Sequence, residues 1–174
     1  MMRATLKSVV VIDRHPIVRQ GVRHLLEDSD RFVVVGDAGT AAEGFEARDA
    51  TKADIVILDD NLPDAQGVAS VQGALRGGNV AVVVLTRNDT PTSAASLLQA
   101  GASAFVSKAG PVSDLLSALL RVADGGIFVS APSAPGPPSS SIREDLPPRV
   151  TAVLRLLVEG RSVHDIASSR ATSW

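Results

Sequence analysis

Cysteine is absent from the 174 residues of the chain, which excludes disulfide bonds, thiol chemistry and cysteine-based zinc sites. The three histidines are far apart, at positions 15, 24 and 164, and this scatter argues against a histidine-rich metal site. Long apolar runs are also missing, since the longest, residues 80–85, is far too short to cross a bilayer. The apolar start at residues 9–12 ends at Asp13 and Arg14, so a signal peptide is excluded and a cytoplasmic location is expected.

Excess charge of one sign is missing as well. The net charge is -2, which argues against a basic surface for nucleic acid along the whole chain. Hydrophobic residues make up 45% and charged residues 21% of the sequence. This balance allows a real core to form and argues against global disorder.

Five short apolar runs, rich in valine and isoleucine, occur before residue 110 and do not alternate with polar residues. They are residues 9–12, 32–35, 55–58, 80–85 and, more weakly, 104–106. Such runs are typical of strands buried on both faces of a parallel sheet. Helical spacing follows each run, with weak Ala- and Gly-rich patterns at 41–50, 66–76 and 91–100. The alternation predicts a doubly wound α/β domain over residues 1–130.

The composition changes at residue 131. Residues 131–145 are rich in proline, serine and glycine, which predicts a linker. Apolar periodicity returns over residues 146–174, where a helix ending at Gly160 is followed by a pattern of the capping-box type at 162–165. This last segment is expected to form two helices.

Polar side chains follow four of the predicted strands. They are Asp13, Asp59, Thr86 and Lys108. In open α/β sheets, ligands bind beyond the carboxyl ends of the strands, where these residues should meet. Two carboxylates, a hydroxyl and an ammonium suit phosphoryl transfer to an aspartate, because a divalent cation and a lysine can neutralise the incoming phosphate.

These residues carry a family resemblance. Residues 9–21 (VVVIDRHPIVRQG), 57–63 (ILDDNLP) with Gly67, 85–86 (LT) and 105–108 (FVSK) resemble the receiver domain of response regulators of the NarL/FixJ, or LuxR-type, class. The resemblance covers about residues 7–130 and implies a flavodoxin-like, CheY-like fold with five parallel strands in the order 2-1-3-4-5. It also implies that residues 146–174 begin a LuxR-type helix-turn-helix domain but end before its DNA-reading helix, so DNA binding by this chain is not expected.

The resemblance assigns a role to each site residue. Asp59 is the phosphoacceptor, Lys108 binds the phosphoryl group, and Thr86 and Phe105 are switch residues; Phe105 suits a core position equally well. Asp13, Asp59 and the backbone carbonyl of Asn61 would hold Mg²⁺. The implied partners are a sensor histidine kinase and a second copy of the chain, docked through the fourth helix, fifth strand and fifth helix.

One position departs from the family pattern. The family has two adjacent acids after the first strand, whereas this sequence has Asp13 followed by Arg14. The loss of an anionic ligand predicts weak Mg²⁺ binding. We expect Arg14 to pair with Asp59 or Asp13 in partial replacement of the cation. His15 either matches the histidine that follows the acidic pair in this class or simply begins a helix, and Asp60 is expected to be a solvated neighbour of Asp59.

Two functions remain open. The first is a phosphorelay response regulator that regulates transcription. The second is a receiver-like interaction or dimerisation module that does not depend on phosphate, marked by Arg14. No enzyme activity is expected: an aspartate-nucleophile phosphatase needs Asp-x-Asp after the first strand, and a flavin carrier needs a Ser-, Thr- and Gly-rich loop there.

Overall fold

The computed structural model describes residues 6–130, so the predicted linker (131–145) and the predicted two-helix segment (146–174) lie outside the described residues. Strands and helices alternate along this part of the chain. The strands are β1 (Lys7–Ile12), β2 (Phe32–Ala38), β3 (Ile55–Asp59), β4 (Ala81–Thr86), β5 (Ala104–Ser107) and β6 (Phe128–Val129). The helices are α1 (Pro16–Glu27), α2 (Ala41–Thr51), α3 (Gly67–Leu75), α4 (Pro91–Gln99) and α5 (Val112–Ala123).

All strand pairs of the sheet are parallel, and the strand order is β2-β1-β3-β4-β5-β6. The predicted order 2-1-3-4-5 is therefore confirmed. The structure adds β6, which pairs with β5 through Phe128 and Val129. Two residues after a glycine-rich helix end are too few to show a strand pattern, and this explains why the sequence did not predict β6.

The apolar runs are continuous because helices cover both faces of the sheet. In β1, Val9 and Val11 pack in a cluster with residues of α1 and α5. Val10 and Ile12 point to the other face and pack in a cluster with residues of α2, α3 and α4. Since successive strand residues alternate between faces, every position of a central strand must be apolar.

Local signals set where the helices begin. Thr40 and Thr90 precede α2 and α4, and each side-chain hydroxyl accepts a backbone N–H of the first turn, from Glu43 at 3.4 Å and Ser93 at 3.2 Å. Helix α2 packs so closely on β1 that a Cβ at Gly44 would overlap the side chain of Ile12. The Ala- and Gly-rich segments are thus helices, as predicted. Within residues 6–130, none of the helices is long and apolar enough to span a membrane.

Candidate functional site

The carboxyl ends of β1, β3, β4 and β5 meet at one edge of the sheet and carry the predicted site residues. Asp13 follows β1, Asp59 and Thr86 are the last residues of β3 and β4, and Lys108 follows β5. Because these strands are neighbours and parallel, their ends come together without any help from the loops. Asp13 is 2%, Asp59 3% and Thr86 0% exposed, so the sheet edge holds two carboxylates almost out of contact with water.

Lys108 lies between the two carboxylates and contacts both. Its Nζ lies 2.6 Å from Oδ2 of Asp13 and 3.2 Å from Oδ1 of Asp59. The backbone N–H of Lys108 donates to the carbonyl of Thr86 at 2.6 Å, which fixes the start of the side chain beside β4. A single ammonium therefore forms an ion pair with one oxygen of each carboxylate, and neither contact has the geometry of a hydrogen bond.

The remaining oxygens face His15. Its Nδ1 lies 3.0 Å from Oδ1 of Asp13 and 4.0 Å from Oδ2 of Asp59. Asp13 Oδ1 also accepts the backbone N–H of His15 at 2.8 Å, whereas Oδ2 of Asp59 is buried and accepts no hydrogen bond. A buried carboxylate oxygen without a donor is costly in a folded protein, and such atoms mark sites that take a ligand.

The expected pairing of Arg14 with Asp59 or Asp13 is wrong. Arg14 is exposed, and its Nε lies 3.3 Å from Nε2 of His15. The cause is local: the His15 N–H bonds back to the Asp13 side chain, and this turn directs the intervening residue into solvent. His15, the residue before α1, takes the position beside the carboxylates that we had expected Arg14 to take.

The expectation that Asp60 is simply solvated is also wrong. Thr86 donates its hydroxyl to Oδ2 of Asp60 at 2.7 Å and accepts the backbone N–H of Asn88 at 2.9 Å. Burial raises the pKa of the Asp60 carboxyl; the Thr86 hydrogen bond opposes this rise, and the neighbouring charge of Asp59 adds to it. The hydroxyl predicted to be a switch therefore already has an anionic partner beside the acceptor.

The loop after β3 is closed by hydrogen bonds that do not use the carbonyl of Asn61. Asn61 N–H donates to Asp59 Oδ1 at 3.3 Å, and the bridge that closes the loop uses the N–H of Leu62 and the carbonyl of Asp60. Gly67, at the loop's end, has φ 53°, a conformation that glycine adopts without strain. The loop geometry is compatible with Asn61 as a carbonyl ligand.

Phe105 and β6 extend the site toward the end of the described residues. Phe105 is 1% exposed and packs in the cluster on the α2–α4 side, a position that fits either a core or a switch residue. Ser130 donates its N–H to the Phe105 carbonyl at 2.9 Å, and its hydroxyl accepts the Ser107 N–H at 2.9 Å. The segment that leads toward residue 131 is thus hydrogen-bonded to β5.

A divalent cation fits the donor set at this edge. One ligand atom each from Asp13, His15 and Asp59 lie within 4.8 Å of one another. The free oxygen of Asp59 supplies a buried acceptor, and carboxylate oxygens are ligands of Mg²⁺ and of transition metals alike. The sequence pointed to Asp13 and Asp59, but it left His15 undecided and missed the contact of Asp60 with Thr86. Only the adjacency of Asp60 to Asp59 could have signalled that contact.

Comparison with known proteins agrees with the geometry. The model of the response regulator receiver domain matches residues 9–120. A nitrate/nitrite response regulator protein homolog of Haemophilus influenzae is 32% identical over 124 residues, which are 71% of this chain and 60% of that protein. The transcriptional regulatory protein MctR of Rhizobium johnstonii is 30% identical over 166 residues, 92% of this chain and 77% of that protein.

A solved structure supports the same conclusion. The crystal structure of a two-component response regulator of the LuxR family from Aurantimonas sp. SI85-9A1 has a TM-score of 0.67 and 28% identity, covering 71% of this chain and 89% of that one. The match to the Haemophilus protein spans 60% of that protein's length. With its fold, its strand-end residues and these relatives, the chain belongs to the response regulator receiver domain family and is similar to two-component response regulators of the LuxR family.

Proposed function

We propose that Asp59 accepts a phosphoryl group from a sensor histidine kinase. The observation that carries this proposal is the buried Asp59 carboxylate, which has one oxygen bound by Lys108 and one oxygen without a hydrogen bond. A carboxylate in this state is a nucleophile held at a fixed position, with a cation beside it for the oxygens of the incoming group.

The transfer is a displacement at phosphorus. An Asp59 oxygen attacks the phosphorus of a phosphohistidine; the new O–P bond forms as the P–N bond breaks, and the electron pair of the P–N bond leaves on the imidazole nitrogen. With a proton on its other nitrogen, the imidazole departs as a neutral molecule. Lys108 passes from the carboxylates to the phosphoryl oxygens, where its charge offsets the new negative charge. A divalent cation held by Asp13, Asp59 and the Asn61 carbonyl would reduce the repulsion between donor and acceptor.

The signal leaves the site through Thr86. Its hydroxyl must exchange Asp60 for a phosphoryl oxygen, and this exchange moves the chain at Asn88, whose N–H the hydroxyl accepts. Ser107 donates to Asp89 at 3.0 Å and so ties the same loop to β5. The loop leads into α4, so the face made by α4, β5 and α5 is the surface that changes, and we propose that a second copy of the chain docks there.

The proposed output is regulation of transcription. The matched relatives include a transcriptional regulatory protein. Phosphorylation then changes how two copies associate.

The test is phosphorylation of the full chain by acetyl phosphate with a divalent cation, read by intact mass. We expect uptake of one phosphoryl group by the wild type and none by Asp59→Asn. Asp60→Asn is the matched control, since it removes the adjacent acid and leaves the acceptor, and it should still be labelled. Uptake by Asp59→Asn would place the acceptor elsewhere, and no uptake by the wild type would favour the interaction module that does not depend on phosphate.

A further inference from the structure

The two carboxylates of the site divide their oxygens between two partners. Lys108 takes Oδ2 of Asp13 and Oδ1 of Asp59. The other two oxygens, Oδ1 of Asp13 and Oδ2 of Asp59, both face Nδ1 of His15, at 3.0 and 4.0 Å. The oxygen atoms not used by the lysine therefore converge with a ring nitrogen on one point.

The spacing suits direct coordination. For metal–ligand bonds of about 2.1 Å, neighbouring ligand atoms of an octahedron are about 3.0 Å apart. The Asp13–His15 pair has this separation as a hydrogen bond, which a metal ion would replace, and the Asp59–His15 pair needs to close by about 1 Å. Asp59 Oδ2 accepts no hydrogen bond that such a movement would break, and the His15 side chain is 35% exposed, which leaves its ring room to adjust.

The chemistry of the third ligand selects the ion. An acid at position 14 would add an oxygen, but Arg14 turns to solvent, and the third side-chain ligand is an imidazole nitrogen. Mg²⁺ prefers oxygen, whereas imidazole suits transition metals, whose affinity for mixed nitrogen and oxygen sites rises from Mn²⁺ to Co²⁺. We propose that His15 is a direct metal ligand and that the site prefers a divalent transition metal ion to Mg²⁺.

The proposal rests on the cation pocket of the proposed function, but it is tested without phosphate. The full, unphosphorylated chain is titrated with Co²⁺ and Mg²⁺ by calorimetry, and the visible absorption of Co²⁺ reports nitrogen coordination. We expect Co²⁺ to bind at least about 10-fold more tightly than Mg²⁺. In His15→Gln, the Co²⁺ affinity should fall by about 10-fold or more and the absorption should change, while Mg²⁺ affinity stays within about 2-fold.

Matched controls are His24→Gln and His164→Gln, which remove the chain's other two histidines. His24 is a stringent control because it lies 3.0 Å from Glu27 and could itself bind a surface ion. Both variants should bind Co²⁺ as the wild type does.

Three results would overturn the proposal: tighter binding of Mg²⁺ than of Co²⁺, unchanged Co²⁺ binding by His15→Gln, or loss of Co²⁺ binding in a control variant. Thermal melts verify that each variant is folded. If the chain binds Co²⁺ through His15 but takes up no phosphoryl group, only the proposed function is contradicted. If the chain is phosphorylated with Mg²⁺ but its Co²⁺ binding does not depend on His15, only this inference is contradicted.

Discussion

Both edges of the sheet bury charged side chains, but the hydrogen bonding of these side chains differs between the two edges. At the amino edge, Arg48 is 5% exposed and hydrogen-bonded: its guanidinium donates to the carbonyls of Gly73 and Ala74 and to Asp49, and it lies 5.1 Å from the ring centre of Phe45. At the carboxyl edge, Asp59 keeps an oxygen without any donor.

The difference separates stability from function. Arg48 completes the end of α3, because the last carbonyls of a helix lack partners within the helix. The carboxyl edge instead leaves an unmet acceptor beside a lysine, an arrangement that costs stability and is useful only when a ligand arrives. Substitutions at the two edges should therefore move stability and phosphorylation in different ways.

Arg48→Met should produce the largest loss of stability. The buried carbonyl of Ala74 loses the guanidinium donor and that of Gly73 keeps only the N–H of Arg76, so we expect the free energy of unfolding to fall by about 2–4 kcal/mol. Urea denaturation measures this loss. Phosphorylation by acetyl phosphate under native conditions should be unchanged, because the substituted residue is at the opposite edge from Asp59.

Asp49→Asn is the control for the Arg48 prediction. It removes the ion pair with Arg48, in which Nε of Arg48 lies 2.8 Å from Oδ1 of Asp49. The Asp49 side chain is 57% exposed. Water screens the exposed carboxylate of this pair, so this variant should be nearly as stable as the wild type. Equal losses in the two variants would show that the surface ion pair, and not the capping of α3, explains the effect.

Asp59→Asn should not lower the free energy of unfolding, in contrast to Arg48→Met. It should abolish the proposed phosphoryl uptake, and it removes one of two buried anions that share the single ammonium of Lys108. We expect the free energy of unfolding to stay equal or to rise by up to about 1 kcal/mol, as at other sites that sacrifice stability for function. Urea denaturation would contradict the comparison if this variant lost as much stability as Arg48→Met.

These edges also differ in how far the sequence could predict them. The carboxyl edge was accessible because strand ends in a parallel sheet converge, so Asp13, Asp59, Thr86 and Lys108 could be placed together from the runs alone. Arg48 gave no signal, since an arginine in an Ala- and Glu-rich helix reads as a solvated residue. Its burial depends on the end of α3, a contact 25 residues away in sequence.

Side-chain directions were the part that the sequence could not supply. The periodicity predicted that Arg14 and Asp60 follow the ends of β1 and β3. A single turn directs Arg14 into solvent, and Asp60 accepts a hydrogen bond from Thr86 on the adjacent strand. Such choices depend on hydrogen bonds that form only after the strands have paired. Backbone patterning therefore predicted the fold and the site, but not how charge is distributed within the site.

Asp60→Asn tests the comparison through the pH dependence of stability. The pKa of Asp60 is raised mainly by burial, so its stabilising effect is complete at acidic pH and is lost as pH rises through the folded-state pKa. The asparagine variant cannot ionise and should be more stable than the wild type at neutral pH, by under about 1 kcal/mol because water partly screens the group. Thermal unfolding across pH measures the difference, which should vanish in acid; a variant that is less stable at neutral pH would contradict it.

Asp54→Asn, at the amino edge, should show the smallest effect and the reverse pH dependence. Burial tends to raise the pKa of Asp54, but the N–H and hydroxyl of Ser8 and the ammonium of Lys7 outweigh it and hold the pKa below its ordinary value. The stabilisation is therefore present above the unfolded-state pKa of about 3.9 and is lost as pH falls through the folded value. The variant should be slightly less stable than the wild type at neutral pH and equal to it in acid. Thermal unfolding of Asp54→Asn and Asp60→Asn in the same buffers measures how the stability of each variant, relative to the wild type, depends on pH. If both differences change in the same direction with pH, the two edges do not differ in the pH dependence of their carboxylates.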